Sequence, residues 1–168
     1  LTDDHHPCQG LADLLTIQER FGRFAGLRFA YIGDGNNMAN TYLLAGALTG
    51  MHVSVASPPG FEPSADVVAR ARVIAERTGG RVTVVNDPAI AVAGANVVAT
   101  DTWASMGQEA EHDERVAAFE PFRVDEALFS KAEPDAVFLH CLPAHRGEEV
   151  TDGVIDHPRS LVFDEAEN

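Results

Sequence analysis

Residues 27–37 read LRFAYIGDGNN. A short apolar run, rich in aromatic and branched side chains and closed by glycines, predicts a buried strand over 27–32. Gly33 and Gly35 supply a tight turn, and Asn36 and Asn37 open a helix rich in Ala and Leu over 36–50. The same alternation extends in both directions. Upstream, His6-Pro7 opens a helix with apolar Leu11, Leu14, Leu15 and Ile17, and Pro7 suits the first helical position because its missing N–H has no partner there. Gly22 and Gly26 bracket its exit. Downstream, strands are predicted over 53–56, 81–85, 96–100 and 136–140, with a sixth over 161–163. Helices are predicted over 64–78, with Ser64 as N-cap, over 88–93 and over 124–130. Strands separated by helices define βαβ units. The expected fold is α/β and doubly wound: one unit over 1–168, Rossmann-like, with a mainly parallel sheet of five or six strands and helices on both faces. Ligands of such sheets sit beyond the carboxyl ends of the strands. That rule singles out residues 33–37 (GDGNN), 101–103 (DTW) and 140–143 (HCLP).

Twelve basic against 26 acidic residues give a net charge of −14, which argues against a nucleic-acid partner. Hydrophobic residues make up 45% of the 168, enough for a packed core. The longest apolar runs fall far short of the roughly 18 residues of a membrane span. Two cysteines, Cys8 and Cys141, are too few for a disulfide framework. A soluble, intracellular, cytoplasmic chain is expected. With no initial Met and an end in a charged run, it is expected to be a piece of something longer.

Each strand-end motif has competing local readings. Gly33-Asp34-Gly35 makes a poor dinucleotide loop: Met38 replaces the third glycine, and Ala56-Ser57 stands where an acid would hold a ribose. Asn36 or Asn37 would hold a carboxylate at the helix start or merely cap it. His6 and Gln9, one turn apart, would face one ligand, or serve as a cap and a surface residue. Asp101 would bind an amine or close a turn. Cys141 reads as nucleophile, metal ligand or packing residue. His140, Cys141 and His145 fit no usual zinc spacing. The acids Glu109, Glu111, Asp113 and Glu114 read as a solvated face.

Taken together and in order, HPCQ at 6–9 followed by LAD at 11–13, GDGNN at 33–37, DTWASMG at 101–107, HCLPAHRGEEV at 140–150 and DEAEN at 164–168 resemble the carbamoyltransferases, in their ornithine-using branch. The resemblance covers essentially the whole chain. It implies the ornithine-binding half of an enzyme that converts carbamoyl phosphate and L-ornithine into L-citrulline and phosphate without cofactor or metal. It implies Asn37, Asp101, Ser105 and Met106 as ornithine contacts, and His6, Gln9, Cys141 and Leu142 as carbamoyl phosphate contacts. Asp101, Cys141 and His6 are then the catalytic set. A mobile loop carrying Ser105 and Met106, within 104–116, is implied to close over ornithine. The Leu142-Pro143 bond is implied to be cis. The family's Ser-Thr-Arg-Thr phosphate motif is absent from these residues, so the carbamoyl phosphate domain is expected elsewhere and this piece is expected to be inactive alone. The full-length family members form homotrimers. Rival readings are a carbamoyltransferase acting on another amine, and a non-catalytic Rossmann-like module binding a nucleotide or amino acid.

Overall fold

A computed structural model describes residues 1–103 and 112–168, with the side chains of 112–114 left aside. Five strands, β1 (Arg28–Ile32), β2 (His52–Ala56), β3 (Arg81–Val85), β4 (Val97–Thr100) and β5 (Val137–His140), form one sheet in the order β3-β2-β1-β4-β5. All four pairings are parallel, in registers such as Phe29 with Val53 and Tyr31 with Ala99. Strand order reverses between β1 and β4, which opens a crevice at their carboxyl ends.

The helices are α1 (Pro7–Phe21), α2 (Asn37–Thr49), α3 (Ala65–Thr78), α4 (Pro88–Val92), α5 (His112–Phe119), α6 (Glu126–Phe129), α7 (Asp152–Ile155) and α8 (Val162–Glu167). Side chains alternate across a strand, so each face builds its own core. Phe29 and Tyr31 of β1 join Ile17, Leu43, Ala71 and Leu139 on the side of α1, α2 and α3. Ala30 and Ile32 join Val92, Val98, Phe129, Phe138 and Val154 on the side of α4, α6 and α7. Because both faces are covered, β4 and β5 are buried at every position.

Two expectations are corrected. The sixth strand over 161–163 does not form. Phe138 donates to the Arg159 carbonyl and accepts from Leu161 N–H, a single bridge beside β5, and from Val162 the chain turns into α8. Phe163 there is exposed, so its apolar character marks no buried strand. Ser64 stands at the N-cap position of α3 as expected, though its side chain makes no capping bond. The sequence reading also predicts no helix between 101 and 120, where α5 forms. Among the described residues no helix is long and apolar enough to cross a membrane.

Candidate active site

The turn after β1 is built by its glycines. Gly33 has φ +151°, and a Cβ on Gly35 would lie 2.3 Å from the Glu62 carbonyl carbon and from the Pro63 nitrogen. The tight approach brings Asn36 to the start of α2. Its Oδ1 accepts from Met38 N–H at 3.0 Å, from Ala39 N–H at 3.2 Å and from the Tyr31 hydroxyl at 3.3 Å. With the oxygen engaged by the cap, the amide nitrogen faces the crevice and donates to Asp101 Oδ2 at 2.9 Å. Cap and site contact are therefore one side chain. Asn37 lies beside it, and its Nδ2 donates to the Thr2 carbonyl at 3.0 Å.

Asp101 follows β4, 9% exposed. Its Oδ1 accepts from Thr102 N–H at 2.7 Å, from Thr102 Oγ1 at 3.4 Å and from Cys141 Sγ at 3.1 Å. Among the described residues Oδ2 has the Asn36 amide as its one partner, which leaves one acceptor position on that oxygen. Burial, then the Asp101 charge, pushes the Cys141 thiol far above its ordinary range, so it stays protonated and donates. Burial and the charges of Asp101 and Asp34 likewise raise Tyr31.

The segment after β5 is set by a pair that sequence reading missed. His140 and Glu149 are both fully buried. His140 Nδ1 accepts from Leu142 N–H at 2.9 Å, so the ring hydrogen sits on Nε2 and is directed to Glu149 Oε1 at 3.1 Å. Glu149 Oε1 also accepts from His145 N–H at 2.6 Å. This fixes Leu142, at φ +55° in the left-handed region that costs a branched side chain about 1–3 kcal/mol. The Leu142-Pro143 bond is cis. His140 and Cys141 thus face different partners, Glu149 and Asp101. His145, Glu148 and Glu149 bring one potential ligand atom each within 4.8 Å of one another. Arg146 is tied outward to Asp152 at 2.7 Å and to Asp156 at 2.6 and 2.8 Å.

At the mouth of α1, His6 Nδ1 accepts from Gln9 N–H at 3.3 Å and His6 N–H donates to Thr41 Oγ1 at 2.9 Å. Gln9 Nε2 donates to Asp13 and to Glu165 of α8. Glu165 Oε2 accepts from His140 N–H at 2.9 Å, which connects α1, α8 and the end of β5. Burial raises both carboxyl groups, and it pushes Glu165, beside Asp13, up to about 9. His6, Tyr42 and Cys141 are the other ionisable groups that act on this cluster.

Arg115 of α5, 6% exposed, was also not foreseen. It forms an ion pair with Asp34, donates from Nε to the Trp103 carbonyl and lies over the rings of Phe61 and Phe119 at 5.1 and 5.3 Å. Its only advance signal was a lone cation among acids. Ser105 and Met106, with the rest of 104–111, lie outside the described residues, as does the loop closure expected of them.

A doubly wound sheet whose switch point holds an amide, a carboxylate and a protonated thiol defines a binding domain for small polar substrates. The family model for the aspartate/ornithine carbamoyltransferase Asp/Orn binding domain matches residues 25–168, and the chain belongs to that family. It is 61% identical over 168 residues to an ornithine carbamoyltransferase of Anoxybacillus flavithermus and 60% identical to one of Symbiobacterium thermophilum. In both cases all of this chain aligns with 54% of the relative, so the chain spans about half the length of the curated relatives it matches. Among solved structures, the ornithine carbamoyltransferase from Pyrococcus furiosus superposes with a TM-score of 0.94 at 52% identity, covering 98% of this chain and 53% of that one. The Gloeobacter violaceus enzyme gives 0.92 at 51%, covering 99% and 55%.

Proposed function

We propose that residues 1–168 are one domain, the amine-binding half of an ornithine carbamoyltransferase. The full-length protein transfers the carbamoyl group of carbamoyl phosphate to the δ-amine of L-ornithine, giving L-citrulline and phosphate. The observation that carries this reading is Asp101, a buried strand-end carboxylate whose Oδ1 is filled by Thr102 and Cys141 while, among the described residues, Oδ2 has only the Asn36 amide. A cationic amine fits the acceptor position left on that oxygen, and the net charge of −14 favours a diamino acid.

In this reading Asp101 orients the δ-ammonium, which gives one proton to solvent; the free amine attacks the carbamoyl carbon, and its second proton passes to the departing phosphate oxygen. His6 and Gln9 hold the carbamoyl group, and the Leu142 carbonyl lies beside it. Collapse of the tetrahedral intermediate breaks the bond to the phosphate oxygen and releases phosphate. Cys141 donates to Asp101 and forms no bond to carbon. Asn37, with Ser105 and Met106, holds the amino-acid end of ornithine. The step as written uses no metal or organic cofactor.

The phosphate groups are held by a carbamoyl phosphate domain in the remaining part of the full-length protein. An apolar groove of about 300 Å³ between α1 and α2, lined by Leu11, Leu14, Leu44 and Leu48, supports packing of another body there. We assign the reaction to arginine biosynthesis, in a cytoplasmic homotrimer, by family resemblance. Calorimetric titration of the full-length protein with L-ornithine, after saturation with carbamoyl phosphate's unreactive phosphonate analogue, tests the reading. Tight binding that Asp101→Asn weakens at least about tenfold is expected; unchanged binding contradicts it.

A further inference from the structure

Gln9 Nε2 lies 2.9 Å from Asp13 Oδ1 and 2.9 Å from Glu165 Oε1, so one amide hydrogen goes to each acid. Asp13 and Glu165 are 1% and 2% exposed. Turning the amide over would set its oxygen against carboxylate oxygen, so the orientation follows from the partners. What remains of the Gln9 amide for a ligand is the carbonyl oxygen, an acceptor. His6, one turn earlier, accepts the Gln9 backbone N–H on Nδ1, which leaves Nε2 as the N–H donor of its neutral ring. Donor and acceptor together complement a primary amide: its carbonyl meets the donor and its NH₂ meets the acceptor. An acyl phosphate with a methyl group in place of that NH₂ satisfies only the His6 half and leaves the Gln9 oxygen without a donor.

We propose that Asp13 and Glu165 are positioning residues that lock the Gln9 amide as a hydrogen-bond acceptor, and thereby set the site's preference for a carbamoyl over a simple acyl phosphate. The inference rests on the reading above that Gln9 faces the carbamoyl group. The two acids coexist in the core by sharing a proton, which leaves both able to accept from Gln9.

The test is calorimetric binding of carbamoyl phosphate and of acetyl phosphate to the full-length protein and its variants. Asp13→Ala and Glu165→Leu each remove an acceptor of the Gln9 amide, and each is expected to weaken carbamoyl phosphate about tenfold while acetyl phosphate changes less than about twofold. Glu165→Gln keeps one of the two acceptor oxygens that Gln9 and the His140 N–H use, and is expected to weaken carbamoyl phosphate less than Glu165→Leu does while acetyl phosphate again changes less than about twofold. Should Glu165→Leu fail to fold, Asp13→Ala carries the comparison. Equal weakening of both ligands marks a merely structural role and overturns the proposal. Gln9→Ala separates the two layers. If it leaves the discrimination intact, the placement of Gln9 at the carbamoyl group falls, and the proposal with it. If it abolishes discrimination while Asp13→Ala and Glu165→Leu preserve it, only the positioning role falls.

Discussion

Cys141 Sγ donates to Asp101 Oδ1 across 3.1 Å, and this contact ties the ends of β5 and β4 together at the switch point of the sheet. The thiol is thus a fixed donor to a carboxylate, and burial with that carboxylate's charge keeps it protonated. Alkylation by iodoacetamide at pH 8, read by peptide mass spectrometry, is expected to modify exposed Cys8 readily and Cys141 at least about tenfold more slowly. Comparable rates would show a reactive thiolate at Cys141.

The same pair predicts unequal kinetic losses in the full-length protein. Asp101→Asn removes the acceptor for the amine and is expected to cut kcat by about 10²-fold or more at saturating ornithine. Cys141→Ala removes one hydrogen bond to that acceptor and is expected to cost only about tenfold. Steady-state citrulline assays decide. A trapped carbamoyl-cysteine, or a Cys141→Ala variant as inactive as Asp101→Asn, would contradict the assignment.

Glu165 carries a pH signature. Its folded-state value near 9 stands above the ordinary 4.5, so folding takes up a proton between those values. The corresponding stability is fully present below about pH 4.5 and is lost as pH rises through about 9, with a slope of at most about 1.4 kcal/mol per pH unit. Urea denaturation from pH 5 to 9 is expected to show a steeper decline for the parent than for Glu165→Gln. Parallel curves would place no proton on Glu165.

Arg115 closes a buried ion pair with Asp34 and holds the Trp103 carbonyl, so it pins both flanks of residues 104–111. Arg115→Met leaves Asp34 buried without its cation. A loss of about 3 kcal/mol in unfolding free energy is expected, with KM for ornithine rising more than KM for carbamoyl phosphate. A change below about 1 kcal/mol would show that the pair contributes little.

Gly35→Ala is expected to destabilise by about 1–3 kcal/mol, because the new Cβ lies 2.3 Å from backbone atoms of Glu62 and Pro63. Thermal denaturation checks this, and a neutral result would mean that the turn after β1 yields.

Much of this was legible in the sequence, for physical reasons. The largely apolar run 27–32 closed by Gly33 reads as a buried strand, and the rule for strand carboxyl ends then singles out the segments that hold Asp101 and Cys141. Local pattern failed where apolar character had another use: Leu161 and Val162 resemble a strand, but they pack the start of a helix beside β5. Long-range polar partnerships were not legible. Nothing local to Asp13 or Glu165 announces that Gln9 joins them, and nothing local to His140 announces Glu149 at its ring. Arg115 was hidden among acids, since only the fold puts Asp34 beside it.

The central claim is that the Asp101 crevice presents an ornithine δ-amine to a carbamoyl donor. Its most direct test supplies the full-length protein with carbon-labelled carbamoyl phosphate and an equimolar mixture of L-ornithine, putrescine and L-aspartate, and follows the label by chromatography. The account predicts label in L-citrulline, with at most traces in the other two products, and loss of that product in Asp101→Asn. Label appearing chiefly in carbamoyl-putrescine or carbamoyl-aspartate, or citrulline formation undiminished in Asp101→Asn, would contradict it.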